Sequence, residues 1–408
     1  MECMDTVLVI GGGATGAGVA RDLAMRGVDV TLVERGDFAS GTSGRSHGLL
    51  HSGARYVPGD PEGAAECIAE NRVLKEIAPH CLSDTAGLFV QVAGDDPDFF
   101  EEKRAACEQL GIETEELSAA DAREAVPDLA EGVERALRVP DAVIHPTRLT
   151  VANAVDAREH GATLLPRTEV ADLIIEDGAV RGALVEDGSG EFEIRAEYVV
   201  NATGAWAGTL ASMADIDLEM APSSGVMVAV EYADLDTVLN RARPAADGDI
   251  VVPHDEQVIL GTTSVDVEDP DEFERDDAEI DRMFAECGAM LSGLDRERID
   301  RVYWGVRPLY SADRERHAGR GISRGFHLLD HAERDGIGGF ASIVGGKLTT
   351  YRAMAEATSD RVCKRLGVDS ACSTAEEPLL GRDEPGRIDG LVAEFEADNP
   401  ADSDVIAR

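Results

Sequence analysis

The sequence predicts an α/β (mixed α+β) protein, in which a Rossmann-like dinucleotide-binding domain is joined to a second, β-sheet-based domain. Three observations carry that prediction. The apolar run Val7 to Ile10 meets Gly11-x-Gly13-x-x-Gly16, and a helical pattern follows through Leu23 and Met25. A second β-rich run, Val28 to Val33, ends in the acid Glu34. The chain of 408 residues is long enough for two domains, and further β-rich runs recur far downstream of the first unit.

The first unit reads as strand, helix, strand. Gly11 permits the tight turn, Gly13 lets the backbone approach a pyrophosphate, and Gly16 allows close helix–strand packing. The helix N-terminus then faces the phosphates. Glu34, 18 residues past Gly16, is placed to accept hydrogen bonds from a ribose diol. From Pro61 to Val139 the pattern is helical and polar, with GLFVQVAG as a strand. Arg148 to His160 reads as a helix. Three β-rich runs follow, Glu169–Glu176, Ala179–Glu186 and Glu191–Val200, separated by EDGA and EDGSGE turns. The third delivers Ala202-Thr203-Gly204, small residues that permit close backbone approach to a nucleotide. Strands and one acidic helix, Pro270–Met290, alternate between Gly225 and Leu309. A strand, a Gly-rich turn and a long helix follow from Gly338 to Leu366. Residues 373–408 are polar and acidic.

Composition narrows the function classes. With 80 Asp and Glu against 38 Lys and Arg, the net charge of −42 disfavours nucleic acid and anionic lipid as partners. Of the basic residues 34 are Arg and only four are Lys: Lys75, Lys103, Lys347 and Lys364. Abundant acid with scarce lysine suits a salt-rich cytoplasm, where acidic self-repulsion is screened. No apolar run approaches the roughly 18 to 20 residues that span a bilayer, and the start MECMD leads directly into the first strand. The expectation is a cytoplasmic protein without a signal peptide. Seven Cys without a C-x-x-C pair suggest reduced thiols, and no metal site is indicated.

The segment GRSHGLLHSGARY, Gly44 to Tyr56, holds two Arg, two His and a Tyr without one acid. It follows ERGDFASGTS, where an NAD domain would usually continue into its next strand–helix unit. The small residues Ala39 to Gly44 would let the chain run along an extended cofactor, which favours FAD. An acid between Gly44 and Tyr56 would repel the phosphates of such a cofactor.

At this point the chain resembles the FAD-dependent glycerol-3-phosphate dehydrogenases. The family pattern occurs as Asp37–Ser43 and His51–Tyr56, and later as Gly305-Val306-Arg307-Pro308-Leu309 and Gly345–Arg352. HGLLHSGARY, APHCLSDTAGLFV and Leu328–Gly336 are similar to the A-type subunit of the anaerobic form. The resemblance runs from about residue 5 to residue 370. It implies a fold of the D-amino-acid-oxidase type. The FAD-binding domain would comprise 1–75, 145–222 and 320–370, and the substrate domain 76–144 and 223–319. Residues 371–408 would be an acidic linker or the start of a further domain. The A-type subunit commonly carries a Cys-rich C-terminal domain suggesting an iron–sulfur centre, and no such cysteines follow here; whether through truncation or lineage stays open.

The resemblance also implies the chemistry: oxidation of sn-glycerol 3-phosphate to dihydroxyacetone phosphate by hydride transfer to flavin. Electrons would pass to a quinone or to partner subunits B and C. Those subunits would hold the protein at the cytoplasmic face of the membrane, and a homodimer is possible. FAD contacts are expected from Gly11, Gly13, Ala14, Thr15, Gly16, Glu34 and Arg35. Along the cofactor, Thr42, Ser43, His47, Gly48 and Leu49 would follow, with Val170, Ala202, Thr203 and Gly204. Gly346, Lys347, Leu348 and Thr349 complete the set.

The substrate phosphate needs cations. Between Arg296 and Arg324 there are eight Arg and four acids, a local excess of positive charge. Arg307 sits in the apolar VYWGVRPLY, where a guanidinium is costly unless an anion meets it. Arg324 lies in GISRGF, where a ligand could approach. By resemblance Arg55, Arg307, Arg324, Lys347 and Thr349 bind substrate, and His51, Arg307 and Lys347 are catalytic. His51 is the candidate base; a structural histidine is its alternative reading, and His47 is placed along the flavin ring. The competing function is an oxidase or dehydrogenase of the same fold acting on a 2-hydroxy acid or amine.

Overall fold

The computed structural model describes residues 6–310, 325–396 and 406–407, and two sheets organise them. The six-stranded sheet is built around β1 (Thr6–Ile10), which runs parallel to β2 (Asp29–Val33) on one side and to Tyr198–Asn201 on the other. Thr163–Leu165 and Phe340–Gly345 continue the sheet in parallel, and Phe326–Asp330 closes one edge antiparallel. β1 and Tyr198–Asn201 are almost continuously buried because both faces are covered, while β2 leaves Asp29 and Thr31 half-buried. Helix α1 (Ala14–Met25) joins β1 to β2 and is buried along Ala14 to Ala24 except Thr15. Its small residues let neighbours come close: a Cβ at Gly18 would lie 3.1 Å from both Ala355 and the Tyr351 ring, on the helix Tyr351–Leu366.

The second sheet has ten strands and is mainly antiparallel. Its centre pairs Ser223–Glu231 with Ile299–Arg307 and Gln257–Gly261. Alternation puts Val226, Val228, Val230, Val302 and Trp304 into a core with Ile280, Met283 and Cys287 of the helix Asp277–Cys287. On the opposite parity Gly225 pairs with Gly305. A Cβ at Gly305 would lie 2.3 Å from Arg45 O, so the glycine lets the Gly44–Tyr56 segment lie directly on the sheet. That segment is tied down again where Leu49–Leu50 pairs with Ala142–Ile144.

Several expectations change. The Pro61–Val139 region holds α2 (Pro61–Ile77) and α3 (Pro97–Gln109), but also strands Glu115–Ser118 and Val133–Val139 beside Gly87–Val92. Their charged, half-exposed faces mask the strand pattern, and pairing on the sheet edge decides it. The expected strand Glu191–Val200 splits. Gly190–Arg195 joins a three-stranded meander, and Tyr198–Asn201 enters the six-stranded sheet. The helix expected over Pro270–Met290 spans only Asp277–Cys287, with Asp276 accepting from Ala278 N as its cap. Within residues 371–396 the helix Pro385–Glu396 buries Ile388 beside Leu149 and Ala152, and Leu379 N donates to Ile77 O.

Candidate active site

Where the two sheets face each other lies a cavity of about 520 Å³. One end is the turn after β1. Gly11 has φ +114°, and a Cβ there would lie 2.5 Å from Ala202 O. A Cβ at Gly13 would lie 3.1 Å from Ser43 Oγ, which accepts from Ala14 N at 2.9 Å. Helix α1 starts at this point with no side-chain cap and no acid in its first turn. Its positive end therefore faces the cavity, as an anion site requires. Glu34 accepts from Gly12 N (2.6 Å) and Gly36 N (2.8 Å). Burial pushes its carboxyl up, and the two amides pull it back. The cradle that glycines keep clear at Gly11 and Gly13, the helix end and the half-buried Glu34 fit the pyrophosphate and ribose of FAD.

The other end gathers His51, Tyr56, Arg307 and Lys347. His51 N donates to Thr349 Oγ1 (3.1 Å), and its ring lies 5.2 Å from Tyr56 and 6.0 Å from His47, centroid to centroid. Ser52 N donates to Asp141 Oδ1 at 2.6 Å, fixing the next residue. Asp141 is fully buried, and burial pushes its pKa up against that bond. Lys347 Nζ is buried without a hydrogen-bond partner among the described residues and sits 4.8 Å above the Tyr56 ring. A buried ammonium in that state is poised to meet an anion. It follows Gly345 and Gly346, both at positive φ (78° and 76°), which turn the chain from strand Phe340–Gly345 into the cavity.

Arg307 Nη1 and Nη2 donate to Ser224 O (3.2 Å), Thr263 O (2.8 Å) and Thr262 Oγ1 (3.1 Å). These neutral acceptors meet part of the demand that the sequence reading assigned to an anion, while the residue still lines the cavity. The other expected residues divide. Ala14, Thr15, Arg35, Thr42, Ser43, His47, Leu49, Val170, Ala202, Thr203, Gly204, Gly346 and Leu348 line it. Gly16 instead packs on the turn, where a Cβ would fall 1.8 Å from Gly11 O. Gly48 turns the chain at φ +70° against Ile144 O. Thr349 is buried and holds His51 from behind. Arg55 is not among the lining residues: its Nη2 lies 3.4 Å from the buried Asp249, whose charge draws it behind Tyr56. Arg324 lies outside the described residues.

Sequence reasoning missed the loop before Asp277. Asp271, Phe273 and Arg275 line the cavity, and Asp271 accepts from Trp206 Nε1 (2.8 Å) and pairs with Arg35 (2.9 Å). Read as helix, that stretch hid its reach to the other sheet. Asp141 and Asn240, bonded at 3.3 Å beneath His51, were missed as well. Nothing local marks a polar residue as buried.

Residues 6–352 match the family model described as FAD dependent oxidoreductase. The chain is 50% identical over 401 residues to the A1 subunit of the anaerobic glycerol-3-phosphate dehydrogenase of Haloferax volcanii, covering 94% of this chain and 68% of that one. It is 45% identical over 386 residues to the A-type subunit of the Escherichia coli anaerobic enzyme, with 94% and 71% covered. Among solved structures it is similar to the glycerol-3-phosphate dehydrogenase of Bacillus halodurans complexed with FAD. That likeness has a TM-score of 0.73 at 28% identity, and covers 93% of this chain and 68% of that one.

Proposed function

The chain belongs to the FAD-dependent oxidoreductase family, and from that premise we infer that it oxidises sn-glycerol 3-phosphate to dihydroxyacetone phosphate. When bound, FAD supplies the two-electron acceptor for the hydride that leaves the secondary carbon. Gly11, Gly13 and the first turn of α1 would hold the pyrophosphate, and Glu34 the ribose diol. His51 takes the hydroxyl proton, held in place through Thr349 and Tyr56. Lys347 and Arg307 supply positive charge for the phosphate and for the oxygen that becomes a carbonyl. Arg324 would add to this clamp. Arg55 would reach it by exchanging Asp249 for the phosphate. The electrons then pass to a quinone or to partner subunits, in keeping with relatives that are named as subunits. No helix among the described residues is long and apolar enough to cross a membrane, so attachment at the cytoplasmic face would run through those partners.

The observation that carries the reading is the buried Lys347 ammonium, without a hydrogen-bond partner among the described residues, in the cavity that His51 also lines. An amine or simple hydroxy acid leaves that charge without a phosphate to meet. The test is anaerobic mixing of the flavin-loaded protein with glycerol 3-phosphate and with glycerol, followed by flavin absorbance. Each charge-assisted contact is worth about 1.5–3 kcal/mol. Two of them should make glycerol 3-phosphate faster by roughly 10²- to 10⁴-fold at equal concentration. Equal rates for the two, or faster bleaching by a 2-hydroxy acid or an amine, would assign the cavity to another substrate.

A further inference from the structure

Lys103 is one of four lysines in the chain, and it is 2% exposed. It projects from α3 into an apolar cluster that includes Phe89, Phe100, Ala54 and Val57. Its Nζ donates to Ala54 O at 2.6 Å and to Val57 O at 2.8 Å, with the Phe89 ring 4.7 Å away. Those two carbonyls bracket Arg55 and Tyr56. Tyr56 in turn lies against His51 and beneath Lys347.

We infer that Lys103 is a positioning residue for the reaction. Its buried amine fixes the carbonyls on either side of Arg55 and Tyr56, and so sets the Tyr56 ring against His51 and Lys347. The inference rests on the reading of His51 and Lys347 as the reacting end. An apolar side chain would fill this core at less cost than a buried charge, so cohesion alone does not account for a lysine. A guanidinium, planar and broader, fits two carbonyls in a closed apolar site less well than a compact ammonium. That difference gives a chain with 34 Arg a reason to keep a lysine here.

Burial pushes the Lys103 pKa down to about 7. The titratable groups around it are the Cys107 thiol on its own helix, which burial keeps neutral, and Arg55 on the loop, Asp141 beside Ala142–Ile144 and Asp249 beside Ile250–His254. Above neutral pH the neutral amine still keeps two N–H groups for the two carbonyls. Opening the loop hydrates the amine and returns its pKa toward the ordinary lysine value, so above neutrality opening requires proton uptake and the closed loop should tighten as pH rises.

The experiment compares the flavin-loaded wild type with Lys103→Met and Lys103→Arg. Two readouts are taken: hydrogen exchange of peptides covering 51–57 and 6–33, corrected for intrinsic rate, and flavin reduction by glycerol 3-phosphate. Lys103→Met should lose protection in 51–57 while 6–33 keeps it, and its limiting reduction rate should fall about 10-fold or more, as for a misplaced reacting group. Lys103→Arg should recover part of both. In the wild type the protection of 51–57 should rise between pH 6 and 8.5, and in Lys103→Arg it should stay level. Wild-type exchange and reduction in Lys103→Met would overturn the inference. Should that variant not fold, the same pH response in wild type and Lys103→Arg would overturn it instead. A wild type that glycerol 3-phosphate does not reduce tells against the substrate reading, while exchange still decides the role of Lys103.

Discussion

His51 is held from two directions: its backbone amide by Thr349 Oγ1 at 3.1 Å, and its ring by Tyr56 at 5.2 Å. Thr349 comes from the turn after strand Phe340–Gly345, and Tyr56 from the loop that Lys103 pins. Two distant parts of the chain thus fix one imidazole, as a group that must meet a substrate hydroxyl within hydrogen-bond reach requires. Replacing His51 by Gln keeps the shape of the site and removes the group proposed as the base. His51→Gln should retain FAD and slow reduction by glycerol 3-phosphate by roughly 10²-fold, the usual range for lost general-base help. Reduction at the wild-type rate from pH 6 to 9 would pass the role to another group.

At the scale of elements, α1 and the turn before it form the part most tightly specified by sterics. Gly16 has no room for a side chain: its Cβ would meet Gly11 O at 1.8 Å, and Gly11 is itself pressed against Ala202 O. Gly16→Ala must push the helix off β1, which moves the anion-facing end of α1 away from the cavity. Overpacking of this kind costs about 1–3 kcal/mol or more. The purified variant should carry little FAD, read as the ratio of flavin to protein absorbance. Gly188→Ala, at a turn where a Cβ meets nothing within 4 Å, is the matched control and should keep its flavin. Both substitutions losing flavin alike would separate the effect from the turn. The glycine pattern made this element legible in the sequence. The loop before Asp277 was not legible, because Asp, Glu and Arg residues at helical spacing look the same whether they extend a helix or cross a cavity.

At the scale of the whole molecule the dominant quantity is charge. Surface arginines are drawn into ion pairs, such as Arg195 with Glu176 and Glu193, and Arg365 with Asp330 and Glu333. Such pairs contribute little individually when exposed, and 80 acids against 38 bases leave −42 to be screened. The compact state is destabilised by that self-repulsion, and salt shortens its range. The melting temperature should therefore rise steeply as potassium chloride goes from about 0.1 to 2 M, where the Debye length falls from ~10 Å to below 3 Å. A flat or falling curve would remove the salt-rich cytoplasm as the explanation of the composition.

The sequence by itself determined what local rules govern. The Gly11–Gly16 turn with its two strands and Glu34 announced the dinucleotide cradle, since backbone approach to phosphate needs those glycines wherever they stand. The acid-free Gly44–Tyr56 segment pointed to the end of the cavity that His51 and Tyr56 line, since repulsion of phosphate acts regardless of the fold. Tertiary structure alone decided which charges face inward. Lys347 is carried into the cavity while Arg55, whose motif pointed to substrate, pairs with Asp249. Lys103 and Asp141, which no motif singled out, converge with Thr349 beneath His51 and Tyr56. The reason is physical: burial and pairing are properties of neighbours brought together by two sheets, and no spacing along one chain encodes which neighbours those will be.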